Sequence, residues 1–111
     1  VRSETMAQWG PVAAEPDTGV DPRVEALRSA VHRMRRELDA YPAELRDRRE
    51  AERELDVLAA SVHSGAPATE ELRHSLLLLA AAVGSVSALA LPLAAVREAV
   101  ELFGTAPRAA H

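Results

Sequence analysis

From Ser75 to Val96 the chain runs for twenty-two residues without a charged side chain. In a chain of 111 residues, whatever hides that stretch from water dictates the architecture. As one helix it would span about 33 Å, long enough to cross a bilayer. Its composition argues for burial in protein instead. Leu and Val supply only ten of its residues, and the polar or flexible Gly84-Ser85-Val86-Ser87 falls at its midpoint, where lipid is least forgiving. Neither end carries Trp or Tyr, and both flanks mix Arg with Glu, so no orientation signal exists. A single-span or peripheral membrane protein using residues 75–96 is the alternative reading.

The segments upstream need this stretch as a partner. At Asp21-Pro22 an N-capping side chain precedes a proline suited to the first helical position. Val24, Leu27, Val31, Met34, Leu38 and Tyr41 then alternate steps of three and four, a helical seam that no strand produces. Pro42 stops that helix near Ala40. The next is bounded by Pro42 and Gly65, and starts either at Pro42 or at Asp47, where Asp47 to Glu50 resembles a capping box. Its inward stripe is Ala51, Leu55, Leu58 and Val62. Arg46–Glu50 and Arg48–Glu52 are each four apart, worth about 0.3 kcal/mol per pair, so packing decides this helix. Ser64-Gly65 is its exit.

A third helix opens at Pro67 or Thr69, with Glu70 and Glu71 at its positive end. Leu72, Leu76, Leu79, Val83, Val86, Ala90 and Leu93 continue the alternation, while Leu77, Leu78, Ala81, Ala82 and Leu89 make the other faces apolar too. A helix apolar all round must be enclosed all round. Pro92 would lose its bond to Ala88, and Gly84, Ser85 and Ser87 weaken the same region, so a kink or break is expected between Gly84 and Pro92. The last segment, Leu93 to Phe103, is expected to close at Gly104. Unbroken, residues 68–103 would reach about 54 Å against about 28 Å for the first helix, which also argues for a bend.

The expected fold is all-α. A hairpin of helices at about 22–40 and 44–63 packs on a long, kinked apolar helix at about 68–103, giving three to four helices in a domain of residues 21–104. Residues 1–20 mix Pro, Gly, acids and small residues without a period and read as a disordered tail that only Trp9 could anchor; residues 105–111 read the same way. No basic region followed by an apolar run begins the chain, so no secretory signal is visible.

Composition removes several chemistries. Without cysteine there are no disulfides, thiolate metal sites or cysteine nucleophiles, which is compatible with a reducing cytoplasm. A net charge of −4 gives no general attraction to nucleic acid or anionic lipid. The basic cluster of Arg33, Arg35, Arg36, Arg46, Arg48, Arg49 and Arg53 is interleaved with Glu37, Asp39, Glu44, Asp47, Glu50, Glu52 and Glu54, the pattern of a solvated, salt-bridged face. Glu71-Leu72-Arg73-His74 has the Glu-x-x-His spacing of carboxylate-bridged metal bundles. Two copies with Glu50 or Glu54 would be needed to complete such a dimeric carboxylate and histidine site. The plainer reading is that Glu71 favours the helix start and His74 is solvated. His63 and His74 lie about 9 Å apart along a hairpin, too far to share an ion. Ser61, Ser75, Ser85 and Ser87 have no acid–base partner at nucleophile spacing, and no phosphate loop exists. No catalytic, cofactor-binding or metal residue is therefore assigned, and an enzyme is not expected.

All thirteen basic residues are arginines and alanine abounds, as codon bias in a GC-rich genome produces. Asp21-Pro22-Arg23-Val24 through Arg36-Glu37-Leu38, Ser85-Val86-Ser87-Ala88-Leu89, and Val96-Arg97-Glu98-Ala99-Val100-Glu101-Leu102-Phe103-Gly104 resemble an uncharacterised family of small all-helical proteins from high-GC actinobacteria. The resemblance covers residues 21–104 and implies a cytoplasmic helical protein; the family has no assigned function and offers no functional residue to carry over. A fainter likeness is to small helical adaptor modules that serve bacterial effector systems.

The functional expectation is a non-catalytic helical protein–protein interaction or self-assembly module. Two hairpin helices cover about half the circumference of the apolar helix, so a homodimer or a helical protein partner covers the rest. The expected contact residues are Leu77, Leu78, Ala81, Leu89 and Phe103.

Overall fold

The computed structural model describes residues 21–65 and 67–109; the expected tail at residues 1–20 lies outside them, as do residues 110–111. The described residues form α1 (Pro22–Ala40), α2 (Arg48–Ser64), α3 (Thr69–Val83), a 3-10 turn (Ser87–Leu89) and α4 (Ala90–Ala109). Each helix is antiparallel to the one before it. α2 packs chiefly on α3 and α1 on α4, with weaker α1–α2 and α3–α4 contacts closing a square bundle.

α1 begins and ends where its residues dictate. The Asp21 carboxylate accepts the Arg23 backbone N–H at 2.9 Å, capping the first turn, and Pro22 takes the position that needs no donor. Arg23 folds back to give both carboxylate oxygens a hydrogen bond, from Nε at 3.2 Å and from Nη2 at 2.9 Å. The side-chain bond from Arg23 is the main reason the Asp21 carboxyl is held below the usual carboxylate range. The last turn of α1 has no basic residue of its own. Arg48 supplies one from α2, donating to the Leu38 carbonyl at 2.8 Å and the Tyr41 carbonyl at 3.1 Å. A cation there also opposes the negative end of the helix dipole.

α2 starts at Arg48, the later of the two expected starts, but the Asp47 side chain makes no cap hydrogen bond and no capping box forms. Among the described residues neither Arg46–Glu50 nor Arg48–Glu52 pairs; Arg35 on α1 instead reaches Asp56 on α2 at 2.6 Å. α2 ends on Gly65, whose φ of 80° is the left-handed position that a Cβ would strain.

The long apolar helix is two helices. α3 ends at Val83, Val86 is extended, and α4 starts at Ala90 after the 3-10 turn. Gly84 allows the exit, because a Cβ there would press on the Ala80 carbonyl oxygen. Pro92 becomes the third residue of α4, where its missing N–H would have had no helical acceptor. The break also re-phases the pattern. The seam expected to pass through Ala90 instead passes through Leu89, Leu93, Val96, Val100 and Phe103, all buried, while Ala90 faces water. Nor does the helix close at Gly104; α4 continues to Ala109.

The core is aliphatic. Leu27, Met34, Leu38, Leu55, Leu58, Leu72, Leu79, Val83, Leu89, Val96 and Val100 are fully enclosed. Phe103 plugs one end of the bundle, with the Arg23 guanidinium 5.0 Å above its ring centre.

Candidate interaction surfaces

None of the sequence features with chemical potential converges on a reaction centre. Glu71 and His74 both face solvent, as does His63. Among the described residues no group of three or more His, Cys, Asp or Glu side chains could hold a metal ion. Ser85 and Ser87 lie exposed at the α3–α4 break, Ser61 is half-buried on α2, and Ser75 is buried in α3. Two members of the basic cluster are spent locally: Arg35 pairs with Asp56 and Arg48 caps α1. No helix of the described residues is long and apolar enough to cross a membrane, and residues 75–96 are divided between α3 and α4.

The expected contact residues separate into two groups. Leu77 is 66% exposed, Leu78 39%, and Ala81 also faces outward, all on α3. Leu89 and Phe103 are core residues, 1% and 6% exposed, which removes them from any outward face. Both follow from the break. The re-phased seam of α4 carries Leu89 and Phe103 inward and turns a different pair of leucines, Leu91 and Leu102, out to 73% and 42% exposure.

Two outer grooves accompany these leucines. The larger, about 380 Å³, runs between α1 and α4 and is floored by Ala26, Ala30, Ala95 and Ala99. Arg33 and Glu98 stand on its walls with Leu102 at one end. Leu91, Ala95, Glu98 and Leu102 fall at steps of four, three and four, so they form one stripe along α4. Among the described residues Arg33 and Glu98 make no ion pair, although both line the same groove. The four-three-four spacing of this stripe was open to sequence reading.

The second groove, about 240 Å³, lies between α2 and α3 on the opposite side of the bundle. Asp47, Glu50 and Glu54 line its α2 wall, and Leu78, Ala81 and Ala82 its α3 wall. Glu54 is only 8% exposed, yet among the described residues it has neither an ion-pair partner nor a hydrogen-bond donor. The sequence placed Glu54 on the solvated side, because the spacing Asp47, Glu50, Glu54 looks like ordinary surface charge until α3 is laid against it.

No curated protein and no solved structure matches the chain. Residues 16–104, which span all of α1 to α3 and most of α4, match a family of unknown function (DUF5955), and the chain belongs to that family.

Proposed function

We propose that the protein is a non-catalytic helical association module that self-assembles through its α1/α4 face. One observation carries the reading: this face holds both the projections and the hollow that would receive them. Leu91 and Leu102 protrude from α4, and beside them lies a groove floored by alanine. Two copies related by a two-fold axis, with their α4 helices antiparallel, set Leu91 opposite Leu102 and Ala95 opposite Glu98. Arg33 stands level with Ala95 across the groove. The same placement therefore brings Arg33 beside Glu98 of the second copy, twice over. A face that carries one base and one acid, unpaired in the single chain, is self-complementary in charge as well as shape. The all-arginine basic complement and lack of cysteine suit the bacterial cytoplasm of a high-GC lineage, where an adaptor role would fit a module of this kind.

Sedimentation velocity across micromolar to sub-millimolar concentrations tests the proposal. A dimer is expected, reduced to a folded monomer by Leu91→Arg with Leu102→Arg. Arg33→Glu and Glu98→Arg should each weaken association, and the two together should restore it. A monomer at every concentration, or association indifferent to these changes, rejects the reading.

A further inference from the structure

We propose that the groove between α2 and α3 is a second contact site, which receives an arginine side chain from an apolar-faced helix of a partner protein. A carboxylate mostly covered by its neighbours, lining a groove and lacking a cation or hydrogen-bond donor from its own chain, offers an incoming cation an unfilled acceptor. Glu54 is over nine-tenths buried, lines the groove, and has no such partner among the described residues. Asp47 and Glu50 add two carboxylates on the same wall, at spacings that bring all three to one side of α2. No basic side chain lines the groove; Arg46, Arg49 and Arg53 are exposed.

The opposite wall selects what carries the cation. Leu78 and Ala81 are exposed, Leu77 lies beside them, and Val57, one turn beyond Glu54, is 42% exposed. An acidic slot bordered by leucine and valine suits a helix with a basic residue among apolar ones. Arginine fits better than lysine, because its planar fork can bond Glu54 and a second carboxylate together. A metal ion is the poorer occupant, since no three of these groups converge on one point. Isologous pairing of two copies here would set carboxylates against carboxylates, the reverse of the α1/α4 face.

The probe is a panel of helical peptides with one arginine among leucines, each with a twin in which the isosteric, uncharged citrulline replaces arginine. Amide chemical shifts of the labelled full chain are followed during titration. The arginine peptides should shift Asp47, Glu50, Glu54, Leu78 and Ala81, and bind at least about tenfold more tightly than their twins, with the advantage shrinking as salt is added. Glu54→Gln should erase the arginine preference while leaving citrulline binding unchanged. Asp47→Asn with Glu50→Gln, one half-buried and the other exposed, repeats the comparison should Glu54→Gln unfold. Equal affinity of the twins, shifts confined to other faces, or absence of binding across the panel each overturns the proposal. So does loss of self-association in Glu54→Gln, which would place a second copy in the groove. The Leu91→Arg, Leu102→Arg monomer should bind the peptides normally, so failure of either contact is seen apart from the other.

Discussion

Replacing Arg48 with alanine removes two charged hydrogen bonds that hold the C-terminal end of α1. Its guanidinium donates at 2.8 Å to the Leu38 carbonyl and at 3.1 Å to the Tyr41 carbonyl. A hydrogen bond from a charged donor contributes about 1.5–3 kcal/mol when sheltered. Arg48 is half-buried and the freed carbonyls can turn to water, so the pair together contributes about 1.5 kcal/mol. The cation's favourable position at the helix terminus adds about 0.3–1 kcal/mol. The expected loss is about 1.8–2.5 kcal/mol, and in a domain of this size each kcal/mol lowers Tm by about 4–8 °C. Urea denaturation followed by circular dichroism measures it. Arg49→Ala is the control: the neighbouring residue has the same charge, is exposed, and should change stability by less than about 0.5 kcal/mol. Arg48→Lys should recover less than half, because one ammonium cannot serve two carbonyls through a planar fork. Equal effects of Arg48→Ala and Arg49→Ala would show that net charge, not the cap, is what α1 senses.

Leu79, fully enclosed, and Leu77, 66% exposed, are two residues apart; Leu79→Ala should cost about 2–5 kcal/mol in the same assay, and Leu77→Ala less than about 0.5 kcal/mol. Pro92→Ala should move stability by no more than about 1 kcal/mol, whereas proline inside a continuous helix would be worth about 3 kcal/mol, so a large stabilisation would contradict the break before α4. Asp21, its carboxyl pKa lowered by the Arg23 hydrogen bond, contributes stability that is complete above the ordinary carboxylate pKa, about 4, and fades as acid takes the pH through the lower folded value. Asp21→Asn should flatten that part of the stability–pH curve, and an unchanged acid limb would show that the cap contributes nothing.

The bundle was legible wherever one local rule governed. Asp21, Pro22 and the seam from Val24 to Leu38 specify α1 to the residue, because capping, proline geometry and periodicity agree. Gly65 ends α2 for the same reason. Where two rules compete, the fold is less legible. Between Val83 and Ala90 an apolar pattern that favours continuity met Gly84 and Pro92, and the chain resolved the conflict with a break that shifted the phase of everything after it. Leu89 and Phe103 thereby moved from expected surface to core, while Leu91 and Leu102 emerged. Arg48 and Glu54 were illegible for another reason. Each owes its role to a neighbouring helix, Arg48 to the end of α1 and Glu54 to the wall of α3, and no window along the chain contains that information.

The two contacts have a joint consequence that follows from where they sit. In a square bundle the α1/α4 and α2/α3 pairs form opposite sides. A dimer closed through α1/α4 therefore turns its two acidic grooves away from each other, one at each end, and leaves both open. Such a dimer would bridge two partner helices, and a partner that is itself dimeric or clustered would be held by both grooves at once. Linkage of this kind multiplies apparent affinity by about 10²–10⁴ without any new contact, provided the geometry allows both ends to engage. A weak groove is then adequate, since a single arginine among leucines need bind only loosely. The dependence is testable. Immobilising the arginine peptide densely should slow dissociation of the wild-type chain far more than that of the Leu91→Arg, Leu102→Arg monomer, while the two should bind peptide free in solution alike. Equal dissociation from the dense surface would mean that the two faces act independently, and that assembly serves some purpose other than avidity.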